Sequence, residues 1–187
     1  MRFIRLPNGQ IKATQDFTLH DGRVITAGTL GGTIAHPRNL AQNGTCWVFP
    51  GASIKDDAYV SGDAVVQSDG EGRRGVVGGR ARLYGNAYIS GAHLIDDARV
   101  LGDTFVGSGA IVGGRAQVTG HVRILGTTSR IRGSAKIQGK GEIINSVILD
   151  NARVLNAKLL VRSLLIDSAY VNGCPVSSTS TIKDSAM

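Results

Sequence analysis

From Cys46 onward the chain repeats a short phrase: a small residue, any residue, a branched aliphatic, then a polar turn. Ala52-Ser53-Ile54, Ala58-Tyr59-Val60, Ala81-Arg82-Leu83, Ala98-Arg99-Val100, Ala116-Gln117-Val118, Ala135-Lys136-Ile137 and Ala152-Arg153-Val154 carry the phrase, with Gly62-Asp63, Gly85-Asn86 and Gly102-Asp103 as turns. Taking the aliphatic residue as anchor gives Val48, Ile54, Val60, Val66, Val77, Leu83, Ile89, Leu94, Val100, Val106, Val112, Val118, Ile124, Ile131, Ile137, Ile143, Leu149, Val154, Leu159, Ile166 and Val171. Thirteen of the 20 intervals are six residues long, and 13 of the 21 anchors have alanine two positions earlier. A period of six matches neither the helical 3.6 nor a heptad, so this region is not helical.

In a strand, alternate side chains share a face. Each anchor and the residue two before it therefore point inward together, and the residue between them points out. Glycine, Asn and Asp in the turns tolerate the positive φ that sharp corners require. A six-residue unit is then one short strand plus one corner. It cannot bury its own inward face, so copies must coil and stack as a single-stranded parallel β-helix. Three units per coil make an all-β triangular prism of about seven coils, roughly 34 Å tall. Residues 1–45 read as a β-rich N-terminal cap, with strand-like Arg2–Leu6, Ile11–Ala13 and Val24–Thr26 split by Pro7-Asn8-Gly9 and Asp21-Gly22 turns. Residues 46–171 form the repeat, and residues 172–187 read as a C-terminal tail or second cap. One insertion, between Val66 and Val77, carries Arg73 and Arg74.

Composition adds three constraints. The 187 residues make one domain, with 42% hydrophobic and 19% charged residues, which excludes a disordered polyampholyte. Twenty-six glycines and only 5% aromatics suit a slender core rather than a bulky one. The net charge of +7 makes the surface basic. No run of 18 apolar residues is present, which predicts no membrane span. The opening MRFIRLPNGQ lacks the apolar run of a signal peptide, which predicts a cytoplasmic protein. Cys46 and Cys174 fall outside any CxxC pattern, so reduced thiols and no metal are expected.

With coils in register, the outward residues before the anchors sort into three columns. The first reads Tyr59, Arg82, Arg99, Gln117, Lys136, Arg153, Tyr170: a cation ladder with a tyrosine at each end. It is either a solvated face or an anion-binding face, for stacked like charges repel and need a reason to persist. Arg73 and Arg74 on the loop, and Arg130 with Arg132, are expected to add to the positive field. The second column reads Trp47, Val65, Tyr88, Phe105, Arg123, Glu142, Lys158, and the third Ser53, Val76, His93, Ile111, Arg130, Ile148, Leu165. Outward apolar side chains at Trp47, Val65, Tyr88 and Phe105, and at Val76, Ile111, Ile148 and Leu165, predict an oligomer interface unless the cap or loop covers them. The pairs Asp56-Asp57 and Asp96-Asp97 fall at corners and read as turn residues.

The repeat, an aliphatic residue followed four positions later by a small one, resembles the hexapeptide-repeat, left-handed β-helix superfamily. The lead-in Ala27-Gly28-Thr29-Leu30-Gly31-Gly32, Asn39-Leu40 and Gly44-Thr45-Cys46-Trp47-Val48 resembles the narrower YdcK-like proteins of enterobacteria and phages. The resemblance implies left-handed coiling and a homo-oligomer, with a trimer favoured and a dimer equally compatible with the residues. It also implies that acyl-CoA-dependent acyl transfer by a histidine at a subunit seam is to be weighed. Of His20, His36, His93 and His121, the one in an interface-like column is His93. The superfamily's enzymes carry a protruding loop and a C-terminal helix, whereas this chain offers a short arginine-rich loop and no helix.

The leading expectation is thus a non-enzymatic, rigid scaffold without cofactor, presenting a basic face to an anionic partner such as nucleic acid, nucleotide or acidic protein. The resemblance makes a phage or mobile-element accessory, or a host-defence antagonist, its setting. The alternatives are an acyltransferase that takes acetyl-CoA or another acyl-CoA, and a self-associating structural module.

Overall fold

In the computed structural model, which describes residues 1–156, 159–173 and 180–183, parallel two- and three-residue strands stack in register through about eight turns of a β-solenoid. The protein is all-β; its one helical segment among the described residues is a single 3₁₀ turn at Pro37–Asn39.

Three flat walls result. The first runs from Leu30–Ile34 through Ser53–Ile54, Val76–Val77, His93–Leu94, Ile111–Val112, Arg130–Ile131, Val147–Ile148 and Leu164–Leu165 to Thr181–Ile182. The second stacks Tyr59–Val60, Arg82–Leu83, Arg99–Gly102, the start of Gln117–Leu125, the start of Lys136–Ile144, Arg153–Leu155 and Tyr170–Asn172. The third stacks Trp47–Val48, Val65–Gln67, Tyr88–Ser90 and Phe105–Gly107 on the far halves of the two nine-residue strands. Anchors and their small partners line the shaft: Ala81 with Leu83, Ala98 with Val100 and Ala116 with Val118 are fully buried.

Corners are held by their own chemistry. Asp56 and Asp96 adopt positive φ, and their carboxylates accept the N–H of Gly79 and Gly114 in the next coil at 2.9 and 2.8 Å. The paired aspartates are therefore corner residues, as read from the sequence. Gly113-Gly114 is likewise a corner with no helix after it.

The cap comprises β1 (Phe3–Arg5), β2 (Gln10–Ala13), the hairpin of β3 (Phe17–Thr18) and β4 (Val24–Ile25), and β5 (Leu30–Ile34). β1 pairs antiparallel with β2 and β2 antiparallel with β5, while β5 pairs in parallel with Ser53–Ile54. Coiling thus begins at Thr33, and a parallel bridge from Leu40 to Val60 continues that first turn. Gly31 lies where no side chain fits: a Cβ would stand 2.5 Å from the Val48 carbonyl and 2.8 Å from the Trp47 ring. The buried Arg2 guanidinium donates to the carbonyls of Ala41 and Cys46 at 2.9 Å, lacing β1 to the first coil.

Three anchors sit one residue from where periodicity predicts them. The buried ribs are Ile148 and Leu165, not Leu149 and Ile166, and in the third-wall register it is Leu160, itself buried, that lies opposite the rib Ile143. Ile148 and Leu165 are therefore core residues rather than interface residues, and Val147 and Leu164 take their places on the outside of the first wall. Lys158 lies outside the described residues. For Ile148 and Leu165 the shift follows the small column: Ser129, Ser146 and Ser163, all buried, stand where Ala52, Ala92 and Ala110 stand higher on the same wall. The first two hydroxyls reach the next coil, Ser129 Oγ accepting the Ser146 N–H at 3.4 Å and Ser146 Oγ the Ser163 N–H at 3.1 Å.

Candidate functional site

The second wall brings the cation column together as predicted. Arg82 pairs in parallel register with Tyr59 above and Arg99 below; Arg99 meets Gln117, Gln117 meets Lys136, Lys136 meets Arg153, and Arg153 meets Tyr170. Adjacent rungs are about 4.8 Å apart, so Arg82 to Arg153 spans about 19 Å. The order places two cation pairs, Arg82 with Arg99 and Lys136 with Arg153, on either side of Gln117.

None of these four cations has a carboxylate within ion-pairing distance among the described residues, although the corner beside them is well supplied. There Arg38 pairs with Asp57 at 2.6 Å and Arg80 with Asp97 at 2.7 Å, while Arg115 stays exposed and unpaired. A groove of about 400 Å³ lies along this edge, lined by Arg80, Arg82, Asp97, Arg99, Arg115 and Gln117. On the wall's opposite edge, a groove of about 580 Å³ is lined by His121, Arg123, Lys140, Gly141, Glu142 and Asn156. It opens where glycine at position 141 takes the inward place that Ala64, Ala87 and Val122 hold higher on the third wall. Its charges are partly matched, His121 by Asp103 at 3.0 Å and Arg123 by Glu142 at 2.8 Å, which leaves Lys140 free. Neither groove, nor the first two histidines of the chain, was marked by the repeat pattern; the signal for the first groove was the residue three before each anchor, where Arg80, Asp97 and Arg115 recur.

Other predicted cations lie elsewhere. Arg73 is neutralised by Asp69 at 2.7 Å and by Glu71, and its loop sits on the corner between the third and first walls. Arg74 borders a groove of about 310 Å³ at the top of the first wall, with Lys55 and Ser53. Arg130 and Arg132 belong to the first wall, where Arg130 donates to the carbonyls of Thr127 and Ser129 at 2.7 and 2.9 Å. These residues do not extend the cation ladder.

The expected exposed third-wall column is corrected at its upper end. Trp47 and Val65 are fully buried because the β3–β4 hairpin lies over them, with the Phe17 ring edge-on to Trp47 at a centroid distance of 5.5 Å. Arg23 clamps the hairpin, lying 4.2 Å over the Phe49 ring and donating to Gln67 and to the Tyr88 hydroxyl at 2.9 and 3.0 Å. Burial pushes the Tyr88 phenol above its usual range, with Arg23 opposing. Below, Tyr88 and Phe105 stack half-buried at 5.5 Å.

On the first wall, Val76 and Ile111 are half-buried and flank the exposed His93. The His93 imidazole has no hydrogen-bond or carboxylate partner among the described residues. Ile95 and Ile111 above the Arg130 rung, and Val147, Leu149, Leu164 and Ile166 below it, make two half-buried aliphatic patches that no described element covers. Cys46 is buried under the cap, its thiol pushed up by burial with the Arg2 guanidinium at 3.2 Å pulling the other way; Cys174 lies outside the described residues. No cluster of three His, Cys, Asp or Glu side chains suited to a metal forms among the described residues, and no helix is long and apolar enough to cross a membrane. No family model matches the chain, and no curated protein matches it well enough to count as a relative.

Proposed function

We propose that this protein is a rigid, non-enzymatic scaffold whose second wall binds a polyanion. The observation that carries the reading is the double juxtaposition of like charges, Arg82 on Arg99 and Lys136 on Arg153, with no carboxylate paired to any of the four among the described residues. Like charges directly opposite in a sheet destabilise it, by about 1 kcal/mol at 4 Å even in water. Elsewhere on the same prism Asp57, Asp97 and Asp103 are placed to relieve such repulsion. A partner carrying several negative charges supplies the missing counter-charge, and a wall fixed by its shaft meets it without reorganising. Titrating DNA, RNA and nucleotides at two salt concentrations tests this. Binding should weaken steeply with salt, and replacing Arg82, Arg99 and Lys136 together by Gln should abolish it without lowering Tm. Retained binding by that variant overturns the reading.

Self-association is a second component of the proposal, favoured by the aliphatic patch of Val147, Leu149, Leu164 and Ile166 on a wall that lies away from the cation ladder. A second copy seated there leaves the second wall open. Sedimentation of the intact protein should show a dimer or trimer that Val147→Glu dissociates. Acyl transfer from an acyl-CoA at His93 gains no support from the imidazole's surroundings; thermal stabilisation by acetyl-CoA, lost in His93→Ala, would favour it.

A further inference from the structure

We infer that the anion taken by the second wall is a single-stranded nucleic acid, laid along the prism axis with its bases stacked on tyrosines at the ladder's ends; this rests on the polyanion reading above. The chain has four tyrosines, and three of them, Tyr59, Tyr84 and Tyr170, are on this one wall. The fourth, Tyr88, is on the third wall, where Arg23 engages it. The phenylalanines and the tryptophan belong to the cap or the third wall, so the basic wall's aromatics are tyrosines alone.

Tyr59 and Tyr84 are half-buried, Tyr59 with one side against the core, and Tyr170 is exposed. The Tyr59, Tyr84 and Tyr170 hydroxyls have no hydrogen-bond partner among the described residues. Tyr59 and Tyr84 meet edge to face, centroids 6.2 Å apart, and the Arg82 guanidinium lies 5.6 Å over Tyr59. Tyr170 is 51% exposed on the rung below Arg153. Aromatic rings flanking a straight track of cations suit an unpaired strand, phosphates meeting Arg and Lys while bases stack on the rings at either end. A duplex fits poorly: its phosphates turn once in about 34 Å, so over the ladder's roughly 19 Å they swing half a turn away from a flat wall. The one insertion in the coils that could enter a groove, the 68–75 loop, is on another corner.

The test compares fluorescein-labelled oligothymidylate, its duplex with oligoadenylate, inorganic polyphosphate and polyglutamate on the intact protein, at matched charge and salt. Oligothymidylate should bind tightest. Tyr84→Leu and Tyr170→Leu should each weaken it about five-fold or more while leaving polyphosphate binding unchanged, and the Phe variants should retain it. Tyr170 ends the wall, so its substitution disturbs no rung below it in the described residues. If duplex or polyphosphate binds as well as oligothymidylate and both Leu variants are neutral, the single-strand inference falls and the polyanion reading stands. If polyglutamate alone binds, the partner is an acidic protein and the inference falls. If none of the four binds, the polyanion reading itself is overturned.

Discussion

Arg23 donates a hydrogen bond to the phenol of Tyr88 at 3.0 Å, joining residues 65 apart in sequence and fastening the cap hairpin across the third wall. Under that strap lies Trp47, the chain's single tryptophan, fully buried with Phe17 on its edge. Trp47 fluorescence therefore reports cap closure alone. Phe17→Ala should red-shift the emission and cost about 1–3 kcal/mol, since Phe17 is only partly buried. Tyr88→Phe removes the one hydrogen bond and should cost about 1 kcal/mol without changing the emission.

The same strap titrates. The Arg23 side chain holds the Asp21 carboxyl below its usual range, at 2.6 Å. A depressed folded value means the stabilisation is present above about pH 4, where the unfolded carboxylate ionises, and is lost as pH falls through the folded value. Acid titration followed at Trp47 should show the cap opening in that lower window, and Asp21→Asn should flatten it. An unchanged acid midpoint in Asp21→Asn would remove Asp21 from the account.

Cys46 works in the opposite direction. Burial raises its thiol above the ordinary value, so its contribution is intact below about pH 8.5 and declines as pH rises through the folded value, because the unfolded thiol ionises first. In a Cys174→Ser background, Cys46 should resist an aromatic disulfide reagent until the protein unfolds. Cys46→Ala should lessen the alkaline fall in Tm.

Most of the prism was legible because each inward alanine is followed two residues later by its aliphatic rib, as at Ala81-Arg82-Leu83, and that spacing alone decides which side chains reach the outer wall. It failed where three aliphatics run together. In Val147-Ile148-Leu149 and Leu164-Leu165-Ile166 hydrophobicity does not say which residue is inward, and a slip of one flips every side chain. The deciding signal was the small residue two before: Ser146 and Ser163 continue the column that Ser129-Arg130-Ile131 had already switched from alanine. Coverage of Trp47 was illegible for a different reason. Arg23 and Phe17 reach it from a hairpin outside the repeat, and periodicity carries no information about a contact so distant in sequence.

That serine column makes its own prediction. Ser146 Oγ donates to the Ile144 carbonyl at 3.0 Å and accepts the Ser163 N–H at 3.1 Å in a fully buried position. Alanine serves at the equivalent place at Ala52, Ala92 and Ala110, so Ser146→Ala leaves no cavity of consequence but orphans the Ser163 N–H. The expected loss is about 1–2 kcal/mol in denaturant melts, larger than for Ser134→Ala, whose side chain is not in the shaft.

The cation ladder predicts a number as well as a direction. Each phosphate neutralised releases counterions, with a slope in log K against log salt of about −0.7 per contact for a single strand. Four ladder cations, Arg82, Arg99, Lys136 and Arg153, then give about −2.8, and Arg115 at the groove's edge brings it to about −3.5. Arg99→Gln should reduce the slope by about 0.7 and weaken binding alike for every base composition, because a contact to phosphate reads no bases. Arg73→Gln is the matched control: it removes the same charge from the protein, yet Asp69 and Glu71 already neutralise that guanidinium on another corner. If Arg73→Gln shifts the slope as far as Arg99→Gln does, the attraction comes from net charge at large rather than from the wall, and the register of Arg82 on Arg99 has no bearing on binding.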